Sequence, residues 1–216
     1  MDDLAQRFVQ DALRNRCNAA LLERLPELGL PDAWLVGGCL FQAVWNLRGG
    51  HQPDAGIRDY DIFYFDPRDL SEASESAINQ RARSTFGELG VELDVKNQAR
   101  VHTWYPSYFG RPCPPLQSAC AGVDRFLVGS TSVGMQQTGG QTRVYAPYGL
   151  ADLYAGILRA NPSVDHGRLY PQKARDYQAR WPWLRMPAVA ADGGQPVGRC
   201  KKWLQPLSDG RKKLLK

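Results

Sequence analysis

The sequence predicts an α+β protein, a small mixed α/β sheet with flanking helices, and three observations carry that expectation. Short β-branched and aromatic runs mix with segments of helical period but without a regular βαβ rhythm. The clearest strand, Ile57-Arg-Asp-Tyr-Asp-Ile-Phe-Tyr-Phe65, is closed by Asp66-Pro67. The 216 residues are 43% hydrophobic and 23% charged, enough to bury one core, so residues 1–186 are expected to form a single domain.

Taken in order, residues 3–25 read as an amphipathic helix, with Leu4, Phe8, Val9, Ala12, Leu13, Ala20 and Leu21 at helical spacings, ended by Pro26 and Pro31. Ala33-Trp-Leu-Val36 reads as a buried strand turning at Gly37-Gly38 into a helix over 39–47. A polar loop follows at 48–56. Asp69-Leu-Ser71 can cap a helix running to about Glu88, before a strand at Val91–Val95. Residues 101–105 read as extended, 106–122 as irregular, 143–146 as a strand, and 149–159 and 171–181 as helices. Pro171 suits the first turn of the last helix, where Tyr170, Ala174, Tyr177 and Trp181 share a face.

The net charge of +5 is unevenly placed. Residues 1–186 hold 20 Lys and Arg against 20 Asp and Glu, so the surplus lies in the Gly-, Pro- and Lys-rich residues 187–216, read as a basic, flexible tail. Such a tail offers a route to nucleic acid, although short charged tails are more often simply solvated. No apolar run is long enough to span a bilayer, and the acidic start is no secretory signal. Five scattered cysteines without a CxxC pair, and three histidines without zinc spacing, point to free thiols in the cytoplasm.

The chemistry concentrates in three carboxylates. Asp59 and Asp61 alternate with Tyr60 and Ile62, so on a strand they share one face, roughly 7 Å apart. Like charges so placed call for a cation, and Mg²⁺ takes carboxylate oxygens while leaving positions for phosphates. Asp94, within Glu92-Leu-Asp-Val95, completes a cluster able to hold two metals if its strand neighbours the first. A D-x-D alone is common; its place in an otherwise hydrophobic strand raises its weight. Val36-Gly37-Gly38 before a helix can bring backbone N–H groups close to an anion, or can be only a tight turn. It has neither the Gly-Lys-[Ser/Thr] end of a P-loop nor the G-x-G-x-x-G fingerprint.

Strand, Gly-Gly, helix and D-x-D in that order resemble the polymerase-β-type nucleotidyltransferases. Gly37-Gly38-Cys-Leu-Phe-Gln-Ala-Val-Trp-Asn46, the strand from Ile57 to Asp66, Val95-Lys-Asn-Gln-Ala-Arg-Val-His102, Tyr145-Ala-Pro-Tyr-Gly-Leu150 and the segment from Lys173 to Pro182 are similar to a bacterial nucleotidyltransferase-like family over residues 30–185. The resemblance implies a polymerase-β-type core, with Gly37 and Gly38 holding the triphosphate of an NTP. Asp59 and Asp61 would hold the metals, two Mg²⁺ or Mn²⁺ ions, and Asp94 the second metal and the acceptor hydroxyl. Two departures stand out. Gly38 to Asp59 is a long spacing, which makes 48–56 an inserted loop, and Gly-Gly replaces the usual Gly-Ser, removing a hydroxyl.

Around these, Arg100, His102 and Trp104 would share a face of an extended chain, where Arg100 could neutralise a triphosphate and Trp104 stack a base. The competing reading pairs Arg100 with an acid and buries Trp104. Asn97 and Asn46 are further candidates, Asn46 with a loop-tying role in competition. Lys173 is a candidate phosphate ligand. Cys39 reads as packing. The expectation is a metal-dependent nucleotidyltransferase moving an NMP group from an NTP to a hydroxyl on a small molecule, RNA or protein, with release of pyrophosphate. A non-catalytic nucleotide- or RNA-binding module on the same fold is the alternative. A haloacid-dehalogenase-type phosphatase fits poorly, because Ala55-Gly-Ile-Arg58 precedes the D-x-D and Phe63 follows it.

Overall fold

The computed structural model describes residues 3–110, 112–164 and 169–187. Two short helices, α1 (Asp3–Ala12) and α2 (Arg16–Arg24), stand where the apolar period predicts one. The break is made by Asn15, whose Oδ1 accepts the N–H groups of Cys17 and Asn18 at 2.9 and 3.3 Å and so starts a new helix. The chain continues through β1 (Trp34–Val36), α3 (Gly38–Arg48), β2 (Asp59–Tyr64), α4 (Glu72–Thr85) and β3 (Glu92–Asn97). Ser71 caps α4 by accepting the N–H of Ser74 at 3.2 Å.

Residues 101–105 are helical, not extended, within α5 (Val101–Phe109). Asn97 accepts the Ala99 N–H at 3.1 Å and the Thr103 hydroxyl donates to the Arg100 carbonyl, while Gly110 closes the far end by donating to Pro106 O. The Asn97 cap starts a short 3-10 turn over Gln98–Arg100 that leads into α5, and with the Gly110 stop it outweighs the strand preference of Val101, Thr103 and Trp104. After α6 (Cys120–Val123) come β4 (Gly134–Thr138) and β5 (Gln141–Tyr145), then α7 (Ala151–Ala155), shorter than its predicted span, and α8 (Leu169–Arg180). β4 is absent from the sequence expectation. Its signal is the Gly139-Gly140 pair, both at positive φ, which makes a two-residue hairpin turn between Thr138 and Gln141. The expected tail falls almost wholly outside the described residues.

The strands form one mixed sheet in the order β3-β2-β1-β4-β5, parallel only between β2 and β3. One face is the main core. Leu35, Tyr60, Ile62, Tyr64, Leu93, Val95 and Met135 point into it, against Phe8, Leu21, Phe41, Trp45 and Tyr177 from the helices. Burying large side chains there stabilises by roughly 1.5–3 kcal/mol each, which is what holds an acid-bearing strand in the sheet. The opposite face carries only a small cluster of Trp34, Val36, Phe63, Ala119, Val123 and Phe126. Asp32 fastens that cover, accepting the Trp34 indole N–H and the Ala119 N–H, each at 2.8 Å. No described helix is long and apolar enough to cross a membrane.

Candidate active site

Strand register decides where the acids go. Asp61 of β2 pairs with Asp94 of β3, and on its other side with Val36 of β1; Asp59 pairs with Glu92. Paired positions on neighbouring strands share a face and lie about 4.8 Å apart across the sheet. Asp59, Asp61 and Asp94 therefore occupy one patch of the thinly covered face, all half-buried. Lys96, two residues beyond Asp94, shares that face, its ammonium 3.1 Å from Asp94 Oδ1. Among the described residues no three His, Cys, Asp or Glu side chains converge enough to hold a metal ion. In kind and in backbone placement the three carboxylates suit a hard divalent cation.

The Gly-Gly turn closes one end of this patch. Gly37 precedes α3 at φ 62° and ψ −115°, a conformation nearly restricted to glycine, and a Cβ there would stand 2.7 Å from Phe126 Cε2. Its own N–H is donated to Val133 O at 2.9 Å, so Gly37 shapes the turn and the next N–H groups, from Gly38 on, head the helix. Val36, paired with Asp61, leads directly into the turn, which places Gly37 at the edge of the acid patch. Gly37→Ala is expected to cost about 1–3 kcal/mol from strain alone. Gly38→Ala meets only the flexible Gln42 amide, at 3.2 Å, and should stay within about 0.5 kcal/mol. Chemical denaturation of the two variants checks the contrast.

α8 lies along α3 through Tyr177 and Trp181, which pack edge-on against Trp45, with Tyr177 also on Phe41. Its last residue, Arg180, reaches α3 at Gln42, in the second turn, donating to Gln42 Oε1 and to Ala55 O, each at 2.5 Å. Surrounding protein, and after it the like charge of nearby Arg58, draw the Arg180 pKa below its ordinary value. Lys173 stands over the Tyr177 ring at 5.4 Å. Seven residues of helix, about 10 Å, separate it from Arg180. Of these two α8 cations, Arg180 is the one hydrogen-bonded to α3, through Gln42.

Three other candidates serve the scaffold. Arg100 is buried, its guanidinium 2.8 Å from Glu75 Oε1 and donating to Leu70 O at 3.1 Å. The face shared by Arg100, His102 and Trp104 dissolves once the segment is helical. Asn97, also buried, accepts the Asp66 N–H and donates to Asp66 O, tying the exit of β2 to the end of β3. Asn46 donates to Pro53 O and Ala55 O and accepts the Trp181 indole N–H at 2.9 Å, so the long 49–58 loop is strapped to both helices. His102 Nδ1 is buried without a hydrogen-bond partner. The Cys39 thiol is held well above its ordinary pKa by burial and then by the charge of Asp61, which keeps it unreactive.

Sequence reasoning passed over Lys96 and Arg180. Lys96 carried a usable signal, since it follows Asp94 at i+2 on a strand. Arg180 carried none, because its place depends on how α8 packs.

A profile of a family described as Nucleotidyltransferase matches residues 23–186. A solved structure, described as an NMR structure that reveals a CCA-adding enzyme head domain, superposes with a TM-score of 0.68 at 22% identity. That match covers 85% of this chain and 96% of the other, and it establishes a shared fold. No curated protein matches the chain. With the family profile spanning three quarters of its length, the chain belongs to the nucleotidyltransferase family.

Proposed function

We propose that this protein is a metal-dependent nucleotidyltransferase that moves an NMP group from an NTP to an acceptor hydroxyl. The observation that supports it most is the register that sets Asp59, Asp61 and Asp94 on one sheet face beside the Gly37-Gly38 turn. Asp59 and Asp61 would hold Mg²⁺ or Mn²⁺, with Asp94 as third ligand. When bound, such ions neutralise the attacking and leaving oxygens of an in-line displacement. The first-turn N–H groups of α3 and the Arg180 guanidinium would receive the triphosphate. The acceptor oxygen forms a bond to the α-phosphorus as the bond to the β-phosphate oxygen breaks. Pyrophosphate leaves with that electron pair, and Asp94 takes the hydroxyl proton. Such a transfer asks the protein chiefly for positioning and charge neutralisation.

The Lys96–Asp94 ion pair favours a second reading, a nucleotide- or RNA-binding module in which a fixed ammonium replaces the metal. Titration calorimetry of each of the four NTPs, with and without Mg²⁺, separates the two. The transferase requires binding that depends on the metal; the binder holds its ligand in the presence of chelator.

A further inference from the structure

The Gly-Gly turn has a second neighbour besides the acids. β1 ends at Val36, which pairs with Asp61 of β2 on one side and with Gly134 of β4 on the other. Contact with the β4 side runs one residue further, where Gly37 donates its N–H to Val133 O at 2.9 Å. The start of α3 therefore lies between the acids and the segment that leads into β4, a 3-10 turn over Gly129–Thr131 followed by Ser132.

Ser132 is only 1% exposed, and its Oγ has no hydrogen-bond partner. Val133 and Met135 belong to the main core, while Gly134 faces Trp34 and Val36, so alternation turns Ser132 with Gly134 to the acid-bearing face. A buried hydroxyl left unpaired is costly to the fold and calls for a partner. α3 lacks a partner of the opposite kind. Leu40 and Phe41 donate to Gly37 O at 3.0 and 3.2 Å, and no side chain caps the helix, so the N–H groups of Gly38 and Cys39 stand at its head. Two such N–H groups favour an anion. The side chain standing at Gly38 is the flexible Gln42 amide, 3.2 Å from where a Cβ would be.

We propose that the Ser132 hydroxyl completes an anion site with the N–H groups of Gly38 and Cys39, and that it donates to the β- or γ-phosphate of the NTP. The proposal rests on nucleotidyl transfer at Asp59, Asp61 and Asp94. The order across the sheet is acids, helix start, Ser132. The α-phosphorus reacts beside the acids, so the remaining phosphates run over the start of α3 and their far end meets Ser132. From Asp61 to Gly134 is two strand spacings, about 10 Å, a span suited to a triphosphate with its bonds at either end. Ser132 thereby supplies a hydroxyl that Gly38 cannot.

Titration calorimetry of ATP and of inorganic tripolyphosphate, each with Mg²⁺, into the full chain tests this. Ser132→Ala is expected to weaken both about tenfold, since the contact is to phosphate and not to the nucleoside. Its Tm should equal or exceed that of the wild type, because the substitution deletes an unpaired buried hydroxyl. Ser130→Ala deletes the other unpaired hydroxyl of this turn and should leave both affinities within about twofold. Adding Gly38→Ser to Ser132→Ala returns a hydroxyl to the head of α3 and is expected to regain about threefold or more. Loss of affinity at a held Tm, confined to Ser132→Ala, supports the proposal. Unchanged affinity, equal losses in Ser130→Ala and Ser132→Ala, or a loss that comes with a lowered Tm and that Gly38→Ser leaves in place overturns it. Unchanged affinity in Ser132→Ala beside a loss in Asp61→Asn would remove Ser132 from the site and leave the transferase reading standing. A wild type that binds neither probe refutes both.

Discussion

Arg100→Met is expected to destabilise the protein by about 3–5 kcal/mol, the usual cost of stripping one partner from a buried ion pair. Arg100 and Glu75 expose only 10% and 9% of their side chains, and Glu75 also accepts the Asn97 N–H, so the acid cannot swing out to water without breaking the end of β3. The corresponding fall in Tm is on the order of 10 °C. Nucleotide affinity, measured below the transition, should stay within about threefold of wild type. A normal Tm with lost NTP binding would instead make Arg100 a phosphate ligand. Glu75→Gln gives a companion test, since it keeps the shape, leaves a cation buried and should also destabilise strongly.

Asp61→Asn is the larger effect on function. Asp61 is central in the row, flanked by Val36 on β1 and Asp94 on β3, so it is the acid that any cation on this face must meet. The substitution preserves shape and removes charge. Metal-dependent NTP affinity is expected to fall about 100-fold or more, in keeping with the loss of a charged group from a preorganised site. The folded state should survive, because adhesion of β2 comes from Tyr60, Ile62 and Tyr64 on its other face, all at or near full burial. Calorimetry and thermal unfolding on one preparation read both halves. A variant that keeps both its stability and its metal-dependent affinity would move the ligand away from this face.

What the sequence revealed follows from the range of the forces involved. Alternation along one strand is local, so the shared face of Asp59 and Asp61 was legible, and so were the Gly37-Gly38 turn and the helix after it. Pairing between β2 and β3 is a long-range fact, and the meeting of Asp61 with Asp94 could be posed only as a condition. α5 was misread because Val101, Thr103 and Trp104 favour strands, whereas the turn that Asn97 caps just before them and the stop at Gly110 decide the segment. The single predicted helix over 3–25 failed for a similar reason: the apolar period runs through Asn15, but its side chain claims two backbone N–H groups. At the site, residue type was a fair guide where charge lies on a strand and a poor one elsewhere. Arg100 resembles a phosphate ligand in sequence and is an internal tie in the fold. Arg180, unremarkable in sequence, is carried to Gln42 of α3 by the packing of Tyr177 and Trp181 on that helix.

Asp59, Asp61 and Asp94 are proposed to hold a divalent cation together with a nucleoside triphosphate. Electron paramagnetic resonance of Mn²⁺, titrated with the protein and a non-hydrolysable ATP analogue, tests it without knowledge of the acceptor. The prediction is loss of the free-ion signal with wild-type protein beyond what the analogue alone produces, a loss abolished in Asp61→Asn. Mn²⁺ that stays free with the wild type, or binds the wild type and Asp61→Asn alike, would contradict the account.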